Sequence, residues 1–350
     1  MSIALALVLP ELAVQVLVRT GALATPRPSR PDLSFWDPDH EPFGVWHRPD
    51  STGFHKTECF DVTYRTNSVG ARDVERSLDA TRSRVVVLGD SFVEGWGLPP
   101  RQRLTNLLEQ ASGLEHLNFG MSHFGPYQQY LVYRDLAKRY THDHVLIGIV
   151  PVNDFIDLDL EQARQAPTYE YRYRPYLVGS YPDYRRFDFR ESTVQRFLRR
   201  HSYAYTAIEH AFHGRGGADS RKDLTDESGR FHSLFYDFSE EQFDLLRYAL
   251  ERIIDEAEGK RVAVFLIPVH QDFLRFYQSG ESPLVRRLRE LGASRGLGVV
   301  DLLPAMSRVT PNWNTYYFEC DYHWGPYGNA VAAGLLAGAL EGDYYGRREP

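Results

Sequence analysis

Cysteine is scarce in this chain of 350 residues, which contains only Cys59 and Cys320. Two cysteines exclude a framework of several disulfides and a zinc site built from four thiolates. One disulfide between them stays open, because an oxidising compartment would allow it but distant cysteines have no geometric guarantee of meeting. Hydrophobic residues make up 43% of the sequence, so the fold can depend on a buried core instead.

The chain also lacks an excess of positive charge, since 40 Lys and Arg stand against 47 Asp and Glu, a net charge of -7. Binding to nucleic-acid phosphates requires clustered basic residues, so a nucleic-acid partner is not expected. No HExxH-like spacing and no carboxylate cluster is present, so neither a catalytic metal nor another cofactor is expected.

The N-terminal segment, residues 1–22, lacks the uninterrupted apolar run of about 20 residues that a membrane span needs, because Pro10, Glu11 and Gln15 interrupt it. It also lacks the basic start and small-residue cleavage site of a secretory signal. Two readings stay open: a membrane anchor or truncated signal, and an amphipathic helix packed on the domain. The proline-rich residues 23–34 resemble a tether, which favours the anchor.

Five short runs rich in β-branched residues have the length of buried strands. They alternate with longer amphipathic segments typical of helices. This alternation predicts an α/β fold with a mostly parallel sheet covered on both faces. The strands are predicted at 84–90, 115–120, 144–150, 261–268 and 298–303, and the helices at 103–112, 127–140, 239–259 and 282–296.

Two further regions surround this pattern. Residues 35–83 are turn-rich with short alternating runs, and they are predicted to form an N-terminal collar of small strands and loops. Residues 84–345 form the main domain, interrupted by a partly helical insertion at 157–239. The insertion contains a tyrosine-rich stretch, 168–187, a helix candidate at 192–212 and a polar loop, 214–230. It is expected to lie near the functional edge of the sheet and to influence substrate selectivity.

Ligands of open parallel sheets bind at the carboxyl ends of the strands. Asp90 and Ser91 follow the first strand, 118–125 ends the second, and Asn153 follows the third. These polar residues are therefore predicted to share one edge of the sheet.

Serine becomes a nucleophile when a base removes its proton and an acid orients that base. Asp321 and His323 are two residues apart, so an extended backbone would place both side chains on one side. Taken alone they could be ordinary loop residues before a helix. Their combination with Ser91 at a strand end favours catalysis.

A tetrahedral intermediate also needs hydrogen-bond donors for its oxyanion. The Asn153 amide is well placed after the third strand, although Asn often serves only as a turn residue there. His270 follows the fourth strand and either contacts substrate or is a loop residue. His142 and His144 lie at the other end of the sheet.

Four blocks occur in the order found in the SGNH, or GDSL-type, hydrolases: GDSF (89–92), LNFGMSHFG (117–125), VND (152–154) and DYHW (321–324). The chain resembles this family over about 84–160 and 260–340, and the TNSVGARD segment resembles its bacterial envelope-associated branch. The resemblance implies a three-layer α/β/α sandwich of flavodoxin-like type with a five-stranded sheet. It also implies a Ser-His-Asp triad and hydrolysis of an ester on a carbohydrate or lipid.

The resemblance makes Ser91 the nucleophile and His323 the base, oriented by Asp321. Ser91 N–H and the Asn153 amide become oxyanion donors. In the family the acid usually stands three residues before the base, which here is Cys320, and Cys cannot serve. Asp321 is therefore preferred, with Glu319 as the alternative. The D-x-H-W spacing resembles that of relatives that act on polysaccharide acetyl groups.

The second block departs from the family at one position. Counting from Asn118, His123 stands where the family has a glycine that donates its backbone N–H to the oxyanion. A residue with a Cβ can donate in the same way only if the local dihedrals allow it.

The sequence therefore predicts a cofactor-independent serine esterase acting on short acyl groups of an envelope glycan. It would lie on the periplasmic side of the inner membrane, anchored by its N-terminus. A polysaccharide O-acyltransferase would use the same residues, and a glycan-binding protein without activity is the third alternative.

Overall fold

A computed structural model describes residues 2–23, 35–37, 40–165, 174–188, 192–213, 225, 228–342, 344 and 345. The predicted tether lies outside these ranges except for residue 23. Residues 168–173 of the tyrosine-rich stretch and most of the polar loop at 214–230 also lie outside them.

The core of the structure is a five-stranded sheet in which every pair of neighbouring strands is parallel. From one edge to the other its strands are β11 (Leu297–Asp301), β10 (Arg261–Leu266), β7 (His144–Ile149), β5 (Arg84–Gly89) and β6 (Glu115–Gly120). This is the flavodoxin-like order, in which the order of the strands reverses between β5 and β7. The predicted parallel α/β fold is confirmed. The strands of the chain are β1 (Trp36–Asp37), β2 (Trp46–His47), β3 (Thr52–Lys56), β4 (Asp61–Arg65), β5 (Arg84–Gly89), β6 (Glu115–Gly120), β7 (His144–Ile149), β8 (Pro175–Val178), β9 (Arg185–Asp188), β10 (Arg261–Leu266) and β11 (Leu297–Asp301).

The α-helices in the described ranges flank this sheet or belong to the terminal and inserted regions. They are α1 (Ser2–Arg19), α2 (Ser91–Glu94), α3 (Leu104–Ser112), α4 (Pro126–Asp135), α5 (Pro151–Asp157), α6 (Leu160–Gln165), α7 (Thr193–His201), α8 (Tyr203–His213), α9 (Glu240–Glu256), α10 (His270–Ser279), α11 (Pro283–Arg295), α12 (Leu302–Val309) and α13 (Pro326–Leu340).

Two groups of helices pack against the sheet. α3 contacts α13, which also contacts α12, while α4 contacts α9, which also contacts α11. Every residue of β5 and β7 is buried, as expected for central strands covered on both faces.

The strand predicted at 298–303 ends earlier than expected. β11 stops at Asp301, whose side chain accepts a hydrogen bond from Leu303 N at 3.0 Å and caps α12. Aspartate favours this role because its carboxylate satisfies an otherwise unpaired helix N–H.

The collar consists of two antiparallel pairs, β1 with β2 and β3 with β4. A disulfide joins Cys59, in the turn of the second pair, to Cys320 near the C-terminus. The pairing that the sequence left open is therefore formed in the structure.

α1 lies against α8 rather than apart from the domain. Its Glu11 carboxylate accepts hydrogen bonds from Ser202 Oγ, Tyr203 N and Ala204 N at 2.6 to 3.0 Å. In the part of the chain that the structure describes, no helix has the length and apolar character to cross a membrane.

The inserted region is partly helical, as expected, but the helix candidate at 192–212 forms two helices. The chain is extended at Ser202, with φ -108° and ψ 118°, and this residue separates α7 from α8. The region also contains a β8-β9 hairpin, which the sequence pattern did not reveal.

Candidate active site

The turn after β5 brings Ser91 to the carboxyl edge of the sheet, as the first residue of the short helix α2. The carboxylate of Asp90 accepts a hydrogen bond from Phe92 N at 2.9 Å and caps this helix. Gly89 is needed before the turn, because a Cβ there would lie 2.3 Å from a methyl carbon of Val93. The turn also places Ser91 at the point where the strand order reverses, between β5 and β7, which is the usual ligand-binding crevice of such a sheet.

The side chains of Ser91, His323 and Asp321 form a continuous chain of hydrogen bonds. Ser91 Oγ lies 2.7 Å from His323 Nε2, and His323 Nδ1 lies 2.5 Å from Asp321 Oδ1. A carboxylate can only accept, so Nδ1 carries the proton and Nε2 is left as the acceptor for the serine hydroxyl. The imidazole is thus oriented to remove a proton from Ser91.

Asp321 accepts hydrogen bonds from Trp96 as well as from His323. Its second oxygen, Oδ2, accepts a hydrogen bond from the Trp96 indole at 2.9 Å, and its first also accepts from His323 N at 2.9 Å. Burial alone would raise the pKa of Asp321, but the hydrogen bonds and charge of His323, together with Trp96, lower it below its ordinary value. The group is therefore a carboxylate that can stabilise an imidazolium.

Asn153 lies in the first turn of α5, next to the serine. Its amide Nδ2 donates to Asp90 Oδ2 at 3.0 Å. An amide carries two N–H bonds, so the bond to Asp90 fixes the direction of the second one. Asn153 is thus a structured part of the edge, rather than a turn residue that satisfies its own backbone.

His123 lies in the loop after β6 and has a φ of 65°, in the left-handed region. This is the conformation that glycine adopts without strain. The backbone therefore has a glycine-like geometry here despite the imidazole. Burial, and then the charge of Arg174, lower the pKa of the His123 ring to about 4, so this ring is neutral at pH 7.

The loop that carries Asp321 and His323 is fixed on several sides. Cys320 is bonded to Cys59 of the collar. Phe318 N donates to His323 O at 3.0 Å, and the Trp324 side chain is fully buried. These contacts hold the loop in a defined position over α2.

The other candidates lie away from this chain of hydrogen bonds. Glu319, the alternative acid, is exposed, and Asp321 occupies its expected place. His270 begins α10 and accepts a hydrogen bond from the Trp313 indole at 3.0 Å. His142 and His144 lie at the amino end of β7, as expected. Among the residues that the structure describes, no group of three or more His, Cys, Asp or Glu could hold a metal ion.

Two features of the site were missed by reasoning from the sequence, and a third was left open. One is the bond from Trp96 to Asp321. Another is the buried pair formed by His47 of β2 and Glu94, the last residue of α2. The third is the disulfide behind the Asp-His loop, which was only one of two open alternatives. The residues concerned are far apart along the chain, and no local pattern marks them as partners.

Comparison with known proteins finds a family match in the C-terminal part of the chain. Residues 258–349 match the family described as SGNH hydrolase-like domain, acetyltransferase AlgX. This range contains Asp321 and His323 but neither Ser91 nor Asn153. The match confirms the predicted resemblance and the predicted enzyme class, one that acts on ester bonds. No curated protein sequence matches the chain significantly.

Several solved structures align with most of the chain at low similarity. A lipase/acylhydrolase from Enterococcus faecalis is 17% identical, with a TM-score of 0.38 over 73% of this chain and 95% of its own. A member of the lipolytic G-D-S-L family from Veillonella parvula is 12% identical, with a TM-score of 0.39 over 73% and 96%. An acetyl xylan esterase from Butyrivibrio proteoclasticus is 10% identical, with a TM-score of 0.39 over 76% and 65%.

Proposed function

Since the chain contains an SGNH hydrolase-like domain, we propose that it is a serine esterase that removes short acyl groups, acetyl above all, from a carbohydrate. The observation that carries this proposal is the hydrogen-bonded chain from Ser91 through His323 to Asp321. The preference for acetyl groups is supported by the D-x-H-W spacing and by the acetyltransferase description of the matched family.

In the proposed mechanism, His323 Nε2 takes the hydroxyl proton of Ser91 while Oγ attacks the carbonyl carbon of the ester. The negative oxygen of the tetrahedral intermediate accepts hydrogen bonds from the Asn153 amide and from the backbone N–H groups of Ser91 and His123. Asp321 stabilises the imidazolium. His323 then returns the proton to the departing sugar oxygen, and an acyl group remains on Ser91.

Water completes the reaction by the same route. His323 takes a proton from water, the hydroxide oxygen attacks the acyl carbon, and collapse of the second intermediate returns the proton to Ser91 and releases the acid. If a sugar hydroxyl replaces water, the product is a new acyl sugar. This second candidate, an O-acyltransferase, is favoured by the description of the matched family as an acetyltransferase.

Turnover of p-nitrophenyl acetate by the full chain tests the proposal. We expect Ser91→Ala and His323→Gln to lower kcat at least about a thousandfold. His232→Gln is a matched control, since His232 is an exposed histidine paired with Asp237, and we expect it to retain activity.

Turnover that survives Ser91→Ala would overturn the triad, and a wild type without turnover would favour a glycan-binding protein. An added oligosaccharide acceptor separates transfer, seen as acyl sugar, from hydrolysis, seen as free acetate.

We also propose that the protein lies in the cell envelope, on the periplasmic side of the inner membrane, where its N-terminal helix holds it to the bilayer. The disulfide supports an oxidising compartment. Exposed apolar side chains on α1, among them Leu9, Leu12 and Val16, support contact with lipid. Leu9→Glu with Leu12→Glu should then release the protein from membranes in cell fractionation. Phe54→Glu, at an exposed aromatic residue of β3, should not.

A further inference from the structure

A pair of side chains beneath the site has no part in the reaction described above. His47, at the end of β2, and Glu94, at the end of α2, are both completely buried, with Nε2 and Oε1 3.2 Å apart. The other ring nitrogen, Nδ1, lies 3.1 Å from the carbonyl oxygen of Gly70. A carbonyl oxygen only accepts hydrogen bonds, so Nδ1 of His47 carries a proton.

The other oxygen of Glu94 is hydrogen-bonded to Ser122. Oε2 accepts a hydrogen bond from Ser122 N at 2.7 Å and a short one from the Ser122 hydroxyl. Burial raises the pKa of Glu94, but the charge of His47 and these hydrogen bonds lower it to about 2. Oε1 of Glu94 is hydrogen-bonded to Nε2 of His47, so the two buried side chains form a pair whose other ends contact Gly70 and Ser122.

A neighbouring arginine fixes the backbone of Glu94. Arg72, also buried, donates to the carbonyl oxygens of Glu94 at 3.0 Å and Leu98 at 2.6 Å. Its guanidinium lies 3.4 Å above the centre of the Tyr64 ring. Two residues of the collar therefore hold Glu94: His47 bonds to its side chain and Arg72 to its backbone carbonyl.

The contact with Ser122 leads directly to the oxyanion loop. His123, the next residue, has the positive φ that a residue with a Cβ adopts only under strain. Such a conformation persists only where the surrounding structure enforces it. The two hydrogen bonds to Glu94 fix the backbone N–H and the side chain of Ser122, the residue whose carbonyl group is joined to the proposed oxyanion N–H of His123.

We propose that Glu94, held by His47, is a positioning residue that keeps the backbone N–H of His123 directed at the oxyanion. This inference rests on the proposed esterase function. It also gives the collar a part in catalysis, because one end of the pair belongs to the collar and the other contacts the loop.

Two substitutions of Glu94 distinguish the effect of its hydrogen bonds from the effect of its negative charge. In Glu94→Gln the amide oxygen can still accept from Ser122, and the amide N–H can donate to Nε2 of His47. We therefore expect this variant to keep kcat within about threefold. Glu94→Ala loses both contacts, and we expect kcat to fall about a hundredfold with little change in KM, as when one oxyanion donor is lost.

A milder pair of variants covers the case in which Glu94→Ala does not fold. Ser122→Ala removes only the hydroxyl bond to Glu94, and we expect kcat to fall severalfold with an unchanged KM. Ser307→Ala is the matched control, because Ser307 is a buried serine bonded to Leu303 O at 2.7 Å. It should lose comparable thermal stability and keep its kcat. Ser122→Ala with the kcat of the wild type would overturn the proposal.

The backbone amide of His123 provides a readout that does not need activity. In ¹⁵N-labelled protein, the His123 amide resonance, assigned with His123→Gln, should shift in Glu94→Ala and stay near its wild-type position in Glu94→Gln. A His123 amide that does not shift in Glu94→Ala would overturn the inference by itself. A wild type without Ser91-dependent turnover would instead overturn the proposed function, so the two failures are distinguishable.

Discussion

At the scale of single residues, the site depends on hydrogen bonds that assign each group one role. Asp321 determines which nitrogen of His323 accepts the serine proton. Trp96 contacts two of these residues. Its indole N–H donates to Asp321 Oδ2, and its ring stacks on that of His323 with 5.1 Å between centroids. Trp96 is therefore a positioning residue for both the acid and the base.

Trp96→Phe should keep the stacked ring and lose the hydrogen bond to Asp321. A hydrogen bond to a charged group contributes about 1.5 kcal/mol, so we expect kcat/KM to fall about tenfold. The same hydrogen bond helps to lower the pKa of Asp321, so that pKa rises in the variant. The loss of activity that follows protonation of Asp321 should then begin at a higher pH than in the wild type, which steady-state kinetics extended into acid below the ordinary pKa of an aspartate would measure.

Trp313→Phe is the control for this experiment. The Trp313 indole donates to His270, outside the hydrogen-bonded chain of the site. Activity and pH profile should both stay as in the wild type. An equal loss in the two variants would mean that the effect is general destabilisation and not the loss of a bond to Asp321.

At the scale of elements, the N-terminal helix is joined to the domain by one carboxylate. Glu11, midway along α1, accepts the N–H groups of Tyr203 and Ala204 at the start of α8, where unpaired helix donors favour a negative charge. The acid that interrupts the apolar run of residues 1–22 therefore lies on the docked face of α1.

Glu11→Ala should loosen α1 from α8. A lost capping interaction costs about 1 kcal/mol, so amide hydrogen exchange in α1 should become about fivefold faster. Burial raises the pKa of Glu11, but the Ser202, Tyr203 and Ala204 hydrogen bonds lower it below 4.5 overall. The unfolded state therefore binds the proton more tightly, and the stability from this contact is present above pH 4.5 and lost as pH falls through the lowered pKa.

Hydrogen exchange followed by mass spectrometry, corrected for intrinsic rates, should then show α1 loosening in acid in the wild type and no such change in Glu11→Gln. Glu281→Ala serves as the control, since Glu281 is an exposed carboxylate paired with Arg289. Exchange in α1 that is the same in Glu11→Ala and the wild type would contradict the docking contact.

At the scale of the whole molecule, the collar and the C-terminal loop form one support for the site. The disulfide joins positions 261 residues apart, and it holds Cys320 next to the proposed catalytic acid, Asp321. Cross-linking distant positions restricts the unfolded chain most strongly. The bond is thus expected to contribute both to stability and to the position of the Asp-His loop.

Cys59→Ser combined with Cys320→Ser should lower the free energy of unfolding by roughly 2–4 kcal/mol, measured by denaturant titration. We expect kcat for p-nitrophenyl acetate to fall as well, because the loop loses its covalent support. Dithiothreitol should have the same two effects on the wild type and none on the double variant. A double variant with the activity and stability of the wild type would show that the loop is held by its non-covalent contacts alone.

Much of the fold could be predicted, because a buried parallel strand is a local pattern. The runs at 84–90 and 144–150 have the composition of strands covered on both faces, and they form β5 and β7. Boundaries were less accurate where a single side chain ends an element, as Asp301 does by capping α12. The β8-β9 hairpin was missed because its strands are short and partly charged, with no clear alternation.

The sequence by itself determined which residues reach the edge of the sheet. Strand ends and the order of the chain are local properties, so Ser91, Asn153 and the Asp321-His323 pair could be placed there, and the four blocks indicated the family. Their chemical roles stay predictions for the kinetic experiments.

Only the tertiary structure decided which distant groups meet. The contacts in question are Trp96 with Asp321, Cys59 with Cys320, Glu11 with the start of α8, and Glu94 between His47 and Ser122. Each joins segments whose own patterns carry no information about the partner. Such pairs form because the sheet, its helices and the collar bring their backbones together, and a buried polar group must then find a partner among the groups within reach.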